Sequence, residues 1–283
     1  MKTNMDTAYP VPPMHLLEYF QVSSPIPVEN TSIASIWRVI QKSGEYAALK
    51  KYHDIKMGNE RFGFVLLKEW SGRSAAKMLG ETSGAVLIEW LEGPSLGDLV
   101  RDGEDEEASE ILVEVANNLH QKKYTFSKKF PNLNDWYSAL LNFNIPSFWP
   151  ETFRKDMNQC KSLAIELLES QEDKVFLHGD LHQDNIRLGT RGYCAFDAKG
   201  IYGERAYELA NAFRNPKGGE KIVRDPVRIA RLANMFSNKF RVDESRLLKW
   251  ASTKCALSIV WRSKTQDNID PESDLLRLLL KAV

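Results

Sequence analysis

The sequence predicts a two-lobed α+β chain, with a small sheet-rich lobe over about residues 1–92 and a larger, mostly helical lobe over about 93–283. Three observations carry that expectation. The apolar runs before Pro94 are short and β-prone, whereas those after it recur at the spacing of helix faces. The break between the two regimes is punctuated by Glu92-Gly93-Pro94, a turn signal. A length of 283 residues suits one large domain or two lobes sharing an interface.

In the first lobe a proline-rich lead-in of about 20 residues precedes two β-prone runs, Ile33 to Tyr52, that flank Lys42-Ser43-Gly44 and so read as a hairpin. Asn59 to Trp70 reads as a helix. Gly84 to Leu91 (GAVLIEWL) is a compact apolar strand, giving the order strand, strand, helix, strand. In the second lobe Ile111, Val115 and Leu119, then Trp136, Leu140 and Phe143, then Phe153, Met157, Leu163 and Leu167 fall on helix faces and are read as core. Two short β-prone runs interrupt the helices, Val175 to His178 and, after a Gly-Thr-Arg-Gly turn, Tyr193 to Phe196. From Tyr207 onward the pattern is helical again, with Pro216 and Pro226 expected to mark a loop.

Thirty-eight basic residues balance 38 acidic ones, which argues against nucleic acid as the main partner, because phosphate-backbone binding needs a basic surplus. No apolar run approaches the length of a membrane span, and the N-terminus lacks a basic start followed by an apolar stretch, so the expected location is the cytoplasm. Cys160, Cys194 and Cys255 are widely spaced, with neither Cys-x-x-Cys pairs nor a nearby His, and read as reduced, buried thiols.

The most specific run is Leu177-His178-Gly179-Asp180-Leu181-His182-Gln183-Asp184-Asn185, followed twelve residues later by Asp197. An Asp and an Asn five apart in one loop can set a carboxylate at a substrate hydroxyl and an amide oxygen at a metal, while a carboxylate after the next hairpin holds that metal from another side. Phosphoryl transfer needs this set, because hard Mg²⁺ takes oxygen ligands and neutralises phosphate charge while the acceptor is aligned.

The spacing His-x-Asp-x-x-x-x-Asn resembles the catalytic loop of the protein kinase-like superfamily, and Asp197 resembles its second metal-binding aspartate. Gly179 replaces the arginine of protein kinases, and Ala198-Lys199-Gly200 follows Asp197 in place of Phe-Gly; both departures match the small-molecule branch, whose loops read His-Gly-Asp-x-His-x-x-Asn. The resemblance implies a bilobal kinase-like fold in which Lys50, in Ala47-Ala48-Leu49-Lys50, clamps the α/β-phosphates of ATP. On an alternating strand Lys50 and Lys51 face opposite ways, so one alone enters the cleft. Glu60 is its candidate partner, with Glu69 the less favoured choice. No G-x-G-x-x-G precedes the lysine; the first hairpin tip would be Thr31 to Ser35, with Ser32 over the phosphates. The hinge would lie at Glu89, Trp90 and Leu91, where backbone groups hold the adenine edge, with lobe packing the equal alternative for the Trp90 ring.

A closer likeness lies in Phe196-Asp197-Ala198-Lys199-Gly200-Ile201-Tyr202-Gly203-Glu204, continuing through Tyr207 to Asn211 and Asn215-Pro216. With Ser71 to Ala76, Asp225-Pro226-x-Arg228-Ile229-Ala230 and Cys255-x-Leu257-Ser258-x-x-Trp261, it resembles the aminoglycoside/hydroxyurea antibiotic-resistance kinases, of which streptomycin 6-phosphotransferases are familiar members. Ala198 stands where the family usually has proline, and Ser74 where glycine is common. The resemblance implies ATP and Mg²⁺ as cofactors, a small-molecule hydroxyl as acceptor, Asp180 as the base, and Asn185 and Asp197 at the metal. A metabolite kinase and a nucleotide-binding pseudokinase are the alternatives, the latter opposed by the intact set of Lys50, Asp180, Asn185 and Asp197.

Three features stay open at this level. Glu204 and Glu208 sit where they could face an amine-bearing acceptor or could be structural, Glu208 as an anchor of the catalytic loop. Asp102 to Glu110 holds six carboxylates in nine residues and reads as an acidic helix start, with attraction of a cationic acceptor as the alternative. Trp261 reads as core in preference to pocket lining.

Overall fold

The computed structural model describes residues 10–263 and 269–283. Helix α1 (Met14–Phe20) leads into strand β1 (Val22–Asn30), followed by β2 (Ala34–Gln41) and β3 (Tyr46–Tyr52). A 3₁₀ turn, Gly58–Glu60, opens α2 (Arg61–Trp70), and β4 (Met78–Thr82) and β5 (Ala85–Glu89) complete an antiparallel five-stranded sheet of order β1-β2-β3-β5-β4. The expected hairpin, helix and strand are therefore present. The order strand, strand, helix, strand was incomplete, because α1, β1 and β4 belong to it as well. β1 falls between the lead-in and Ile33, where Pro25 and Pro27 mask it; an edge strand tolerates them, and its pairing with β2 shifts register between Pro27 and Glu29.

The alternation of β2 and β3 decides what the sheet presents to each side. Trp37, Val39, Ala47 and Leu49 point outward and form a small separate core with Leu16 of α1. Their neighbours in register point the other way, so that Tyr52 joins the main core and Lys50 enters the cleft, while Lys51 shares an outer hollow with Trp37 and His53. β5 ends at Glu89, and the next helix, α3 (Leu96–Arg101), begins with a capping box between Ser95 and Asp98.

The remaining chain is largely helical: α4 (Asp105–Leu119), α5 (Leu133–Leu141), α6 (Glu151–Glu169), α7 (Glu220–Val223), α8 (Pro226–Phe240), α9 (Glu244–Ser263) and α10 (Ser273–Ala282). α9 is buried on every side from Trp250 to Val260, as the central helix of such a bundle must be. Pro226, expected in a loop, is instead the first residue of α8, where its missing N–H costs nothing and Asp225 caps the helix by accepting from Val227 N. β6 (Lys174–Leu177) pairs with β9 (Ile201–Glu204), and β7 (Ile186–Gly189) with β8 (Gly192–Ala195). These two ribbons bracket the loop singled out in the sequence. All three cysteines are buried free thiols, and among the described residues no helix is long and apolar enough to cross a membrane.

Candidate active site

Lys50 on β3 reaches two carboxylates that lie far apart in sequence. Its Nζ donates to Glu60 Oε2 at 2.6 Å and to Asp197 Oδ1 at 2.7 Å. A second lysine closes the arrangement: Lys199 Nζ donates to Glu60 Oε1 at 2.9 Å and to Asp197 Oδ2 at 3.1 Å. Two ammoniums and two carboxylates thus alternate in a ring. The Tyr52 hydroxyl adds a bond to Glu60 Oε2; burial and then the Glu60 charge push its pKa up, so it stays a donor. Burial opposes the charge of Asp197, yet the adjacent Lys50 and Lys199 outweigh it and hold its carboxyl well below the usual range.

The loop after β6 is fixed from beneath by Glu208, which is fully buried in the 3₁₀ segment Arg205–Arg214 and accepts from His178 N at 2.8 Å and Gly179 N at 3.1 Å. His178 Nδ1 accepts from Asp180 N at 3.3 Å, and its Nε2 lies 2.9 Å from the Phe196 carbonyl. A carbonyl only accepts, so Nε2 carries the proton and the ring is neutral, as its burial also demands. Gly179 has φ +81°, and a Cβ there would lie 2.6 Å from Ile201 Cδ1. That is the physical reason for glycine where protein kinases carry arginine.

Asp180 Oδ1 accepts from Asn211 Nδ2 at 2.8 Å, which aims the carboxylate. Burial works to raise its pKa, but Lys254, His182 and Lys199 outweigh it and keep Asp180 ionised below the usual range. Asn185 donates through Nδ2 to the Asp180 carbonyl at 3.0 Å, leaving Oδ1 as the oxygen available to a cation, and its own carbonyl accepts from Phe196 N at 3.0 Å. The backbone therefore ties Asn185 to the segment that carries Asp197. Among the described residues no three His, Cys, Asp or Glu side chains converge as a self-sufficient metal cage. Two protein oxygens, from Asn185 and Asp197, fit a hard divalent cation that takes the rest of its shell from phosphates and water, as Mg²⁺ does.

At the end of β5 and just beyond it, the side chains of the expected hinge have protein partners. Glu89 forms an ion pair with Arg191 and accepts from Lys77 N at 2.9 Å, the Trp90 ring donates to Glu92 and lies under the Arg38 guanidinium, and Leu91 is buried. The Glu89 N–H donates to the Lys77 carbonyl at 2.9 Å. At the hairpin tip Thr31, not Ser32, holds the turn, its Oγ1 accepting from Ile33 N and Ala34 N, both at 3.1 Å; Ser32 is exposed at the mouth of a hollow lined by Tyr52, His53 and Gly58.

A lysine–glutamate pair, an aspartate beside it and a loop carboxylate with its asparagine can be compared with known proteins as one unit. Residues 20–266 match the family described as aminoglycoside/hydroxyurea antibiotic resistance kinase. The chain belongs to this family. It is 29% identical over 232 residues to a streptomycin 3''-kinase of Klebsiella pneumoniae, covering 80% of this chain and 84% of that one. Among solved structures, an amicoumacin kinase in complex with AMP-PNP, Ca²⁺ and its ligand superposes with a TM-score of 0.65 at 14% identity, covering 95% and 92% of the two chains. An aminoglycoside phosphotransferase with ADP and hygromycin B gives 0.64 at 13% identity over 95% and 97%, and a choline kinase from Streptococcus pneumoniae gives 0.59 at 14% over 95% of each. At such identities the structures establish the kinase-like fold, while the family match makes this chain a small-molecule kinase.

Within this kinase two carboxylates named as acceptor contacts are already taken. Glu204 is buried and paired with Arg246, at 2.5 Å for Nη2 to Oε2, and Arg246 also bonds the Ser170 carbonyl at 2.8 Å. Glu208 holds the catalytic loop and pairs with His120 Nε2 at 2.8 Å. Neither offers an oxygen to an acceptor, which corrects that expectation and favours the anchoring alternative for Glu208. The acidic run starts α4 as the helix dipole favours, and Asp105 is bound by Arg228 and Arg231 of α8. Trp261, expected in the core, is 37% exposed and packs edge-to-face on Trp136.

Two lysines of the site escaped the sequence reading. Lys199 lay inside the quoted motif, two positions from Asp197, and its proximity was the available signal. Lys254 has no motif at all; its only mark is a lone charge within the small and apolar run Trp250-Ala251-Ser252-Thr253-Lys254-Cys255-Ala256-Leu257.

Proposed function

We propose that this kinase transfers the γ-phosphoryl group of ATP, with Mg²⁺, to a hydroxyl of an aminoglycoside such as streptomycin, and so confers resistance by O-phosphorylation in the cytoplasm. The observation that carries the reading is the ring of Lys50, Glu60, Lys199 and Asp197 lying beside a carboxylate, Asp180, that is held ionised and aimed by Asn211. Residues 1–92 act as the nucleotide lobe and 93–283 carry the catalytic loop and acceptor site.

Bound Mg²⁺ would neutralise charge on the phosphates, held by Asn185 Oδ1 and Asp197. Lys50, oriented by Glu60, binds the α/β-phosphates, and Lys199, which shares both of its carboxylate partners, adds a second positive charge beside it. Backbone groups of Glu89, Trp90 and Leu91 face the base, and the Ser32 turn covers the phosphates. Asp180 accepts the hydrogen bond of the acceptor hydroxyl, orients its oxygen for in-line attack and takes its proton as the bond to the γ-phosphorus forms and the bond to the β–γ bridging oxygen breaks, releasing ADP. Alignment and fixed charge supply most of the acceleration.

The test is ATP consumption by the purified protein against streptomycin, other aminoglycosides, hydroxyurea and choline. Streptomycin-dependent turnover that Asp180→Asn abolishes is the expected result. Turnover with choline or hydroxyurea alone would overturn the acceptor assignment, and turnover unchanged in Asp180→Asn would overturn the mechanism.

A further inference from the structure

Lys254 is a buried cation that the roles above do not use. It lies on α9 with its side chain 3% exposed, and its Nζ stands 3.9 Å from Asp180 Oδ1, too long for a hydrogen bond. Its other neighbour is the ring of Trp261, two helical turns along the same face, with the ammonium 4.8 Å from the ring centroid. Among the described residues no hydrogen bond to this ammonium exists. A buried ammonium without acceptors is expensive, and a lysine kept only for packing would be replaced at little loss by an apolar residue. Its position therefore needs a reason beyond the core, and the nearest one is the carboxylate it faces.

We infer that Lys254 is a positioning residue for Asp180: its charge, set against the carboxylate from α9 and braced on Trp261, holds Asp180 ionised and pointed at the acceptor hydroxyl. This rests on the reading of Asp180 as the base. The titratable groups around this pair come from several elements, with Tyr207 of the segment Arg205–Arg214 also facing Asp180. Arg214 stands on the 3₁₀ segment Arg205–Arg214, Lys199 after the metal aspartate, and Glu272 ahead of α10; His182 and His178 flank Asp180 on its own loop. Arg214 is engaged by Glu272 at 2.7 Å and Lys199 by Glu60 and Asp197, so Lys254 is the cation left to Asp180. Burial lowers the pKa of Lys254 to about 8 despite the pull of Asp180. The sign follows. Below that value the ammonium is present and Asp180 is supported; as pH rises through it the charge is lost and transfer declines.

The test compares pH profiles of kcat/KM for transfer from MgATP to streptomycin in the wild type, Lys254→Met and Lys254→Arg, alongside NMR titration of ¹³C-labelled lysine and aspartate side chains in the resting protein. Lys254→Met should lower kcat about tenfold or more, move the acid limb up by about one pH unit and erase the limb near pH 8, with KM for ATP unchanged. Lys254→Arg should keep the acid limb and move the alkaline limb upward. In the resting protein Lys254 should titrate near pH 8, and lower in Asp180→Asn. An unchanged profile in Lys254→Met, or a Lys254 midpoint at the ordinary lysine value in both proteins, overturns the inference. Should no acceptor turn over, the functional reading fails, and the NMR titration still decides the pairing.

Discussion

Gly63 presses its bare Cα against the backbone of Ala198, so that a Cβ at position 63 would lie 1.7 Å from the Ala198 carbonyl oxygen. Gly200 answers from the other side, at φ +72°, with room for no side chain against Phe62 and Gly63. Through this contact the helix that follows Glu60 and the loop that carries Asp197 and Lys199 lie close enough for their four charges to close a ring. Gly63→Ala should therefore push the loop off the helix. The expected loss is about 1–3 kcal/mol in stability, with a fall in kcat larger than that loss explains. Chemical denaturation and steady-state kinetics check it; a Gly63→Ala protein of full stability and activity would show that the approach is not required.

Asp197 has a lysine on each oxygen, and those same oxygens are the ones a metal must use. Asp197→Ala should leave Lys50 and Lys199 on Glu60 and still admit ATP, but the nucleotide would bind no better with Mg²⁺ than without. Transfer should fall by at least about a hundredfold. Thermal shift by ATP at several Mg²⁺ concentrations reads the difference directly, and a variant that keeps the metal response sinks the assignment of Asp197.

The residues of the site differ in how far the sequence exposes them. Asp180, Asn185 and Asp197 stand in one stretch whose spacing is set by a loop and a hairpin, so local order fixes their chemistry. Glu60 can be paired with Lys50 because a strand and the helix after it leave few choices of partner. Lys254 comes from a helix more than 70 residues beyond Asp180, and only packing of α9 beneath the loop brings the two together. β1 is invisible for a related reason: its prolines and polar residues suit an edge strand, which is defined by its neighbour β2 and not by its own pattern. Glu204 and Glu208 mislead as acceptor contacts because proximity to a catalytic motif in sequence says nothing of which side of the backbone a carboxylate takes.

The acidic run offers a control on acceptor recognition. Asp105 accepts a bidentate bond from the buried Arg228, at 2.9 and 3.0 Å, and a further contact from Arg231, while Glu106 and Glu107 both stand exposed in the first turn of α4. Arg228→Met should destabilise the fold by about 3 kcal/mol by stripping a partner from a half-buried pair. Neutralising Glu106 and Glu107 to Gln should leave KM for streptomycin unchanged. A rise in KM with the double Gln variant would return the run to the acceptor site.

Acid should weaken the fold in a defined window because of the two histidines of the catalytic loop. His182 Nδ1 accepts from Asp184 N at 3.3 Å, which requires that nitrogen to be unprotonated, and burial first of all lowers its pKa to about 4. His178 is lowered in the same direction by its own burial. An unfolded chain takes up protons on both rings near pH 6.5, whereas the folded one refuses them until more acidic values, so between those limits the unfolded state binds more protons and folding weakens as pH falls. For His182 that window runs from about 6.5 to about 4, with up to about 3 kcal/mol at stake. Asn at 182 keeps a cap acceptor for Asp184 N and cannot titrate. Urea denaturation between pH 7.5 and 4 should therefore show a shallower loss of stability in His182→Asn than in the wild type, the curves converging above pH 7 apart from a constant offset. Parallel curves across the whole range would place the acid sensitivity elsewhere, in carboxylates such as Glu208, whose pKa is depressed by its bonds to His120 and the loop despite burial, and whose contribution is lost only below the ordinary carboxylate range.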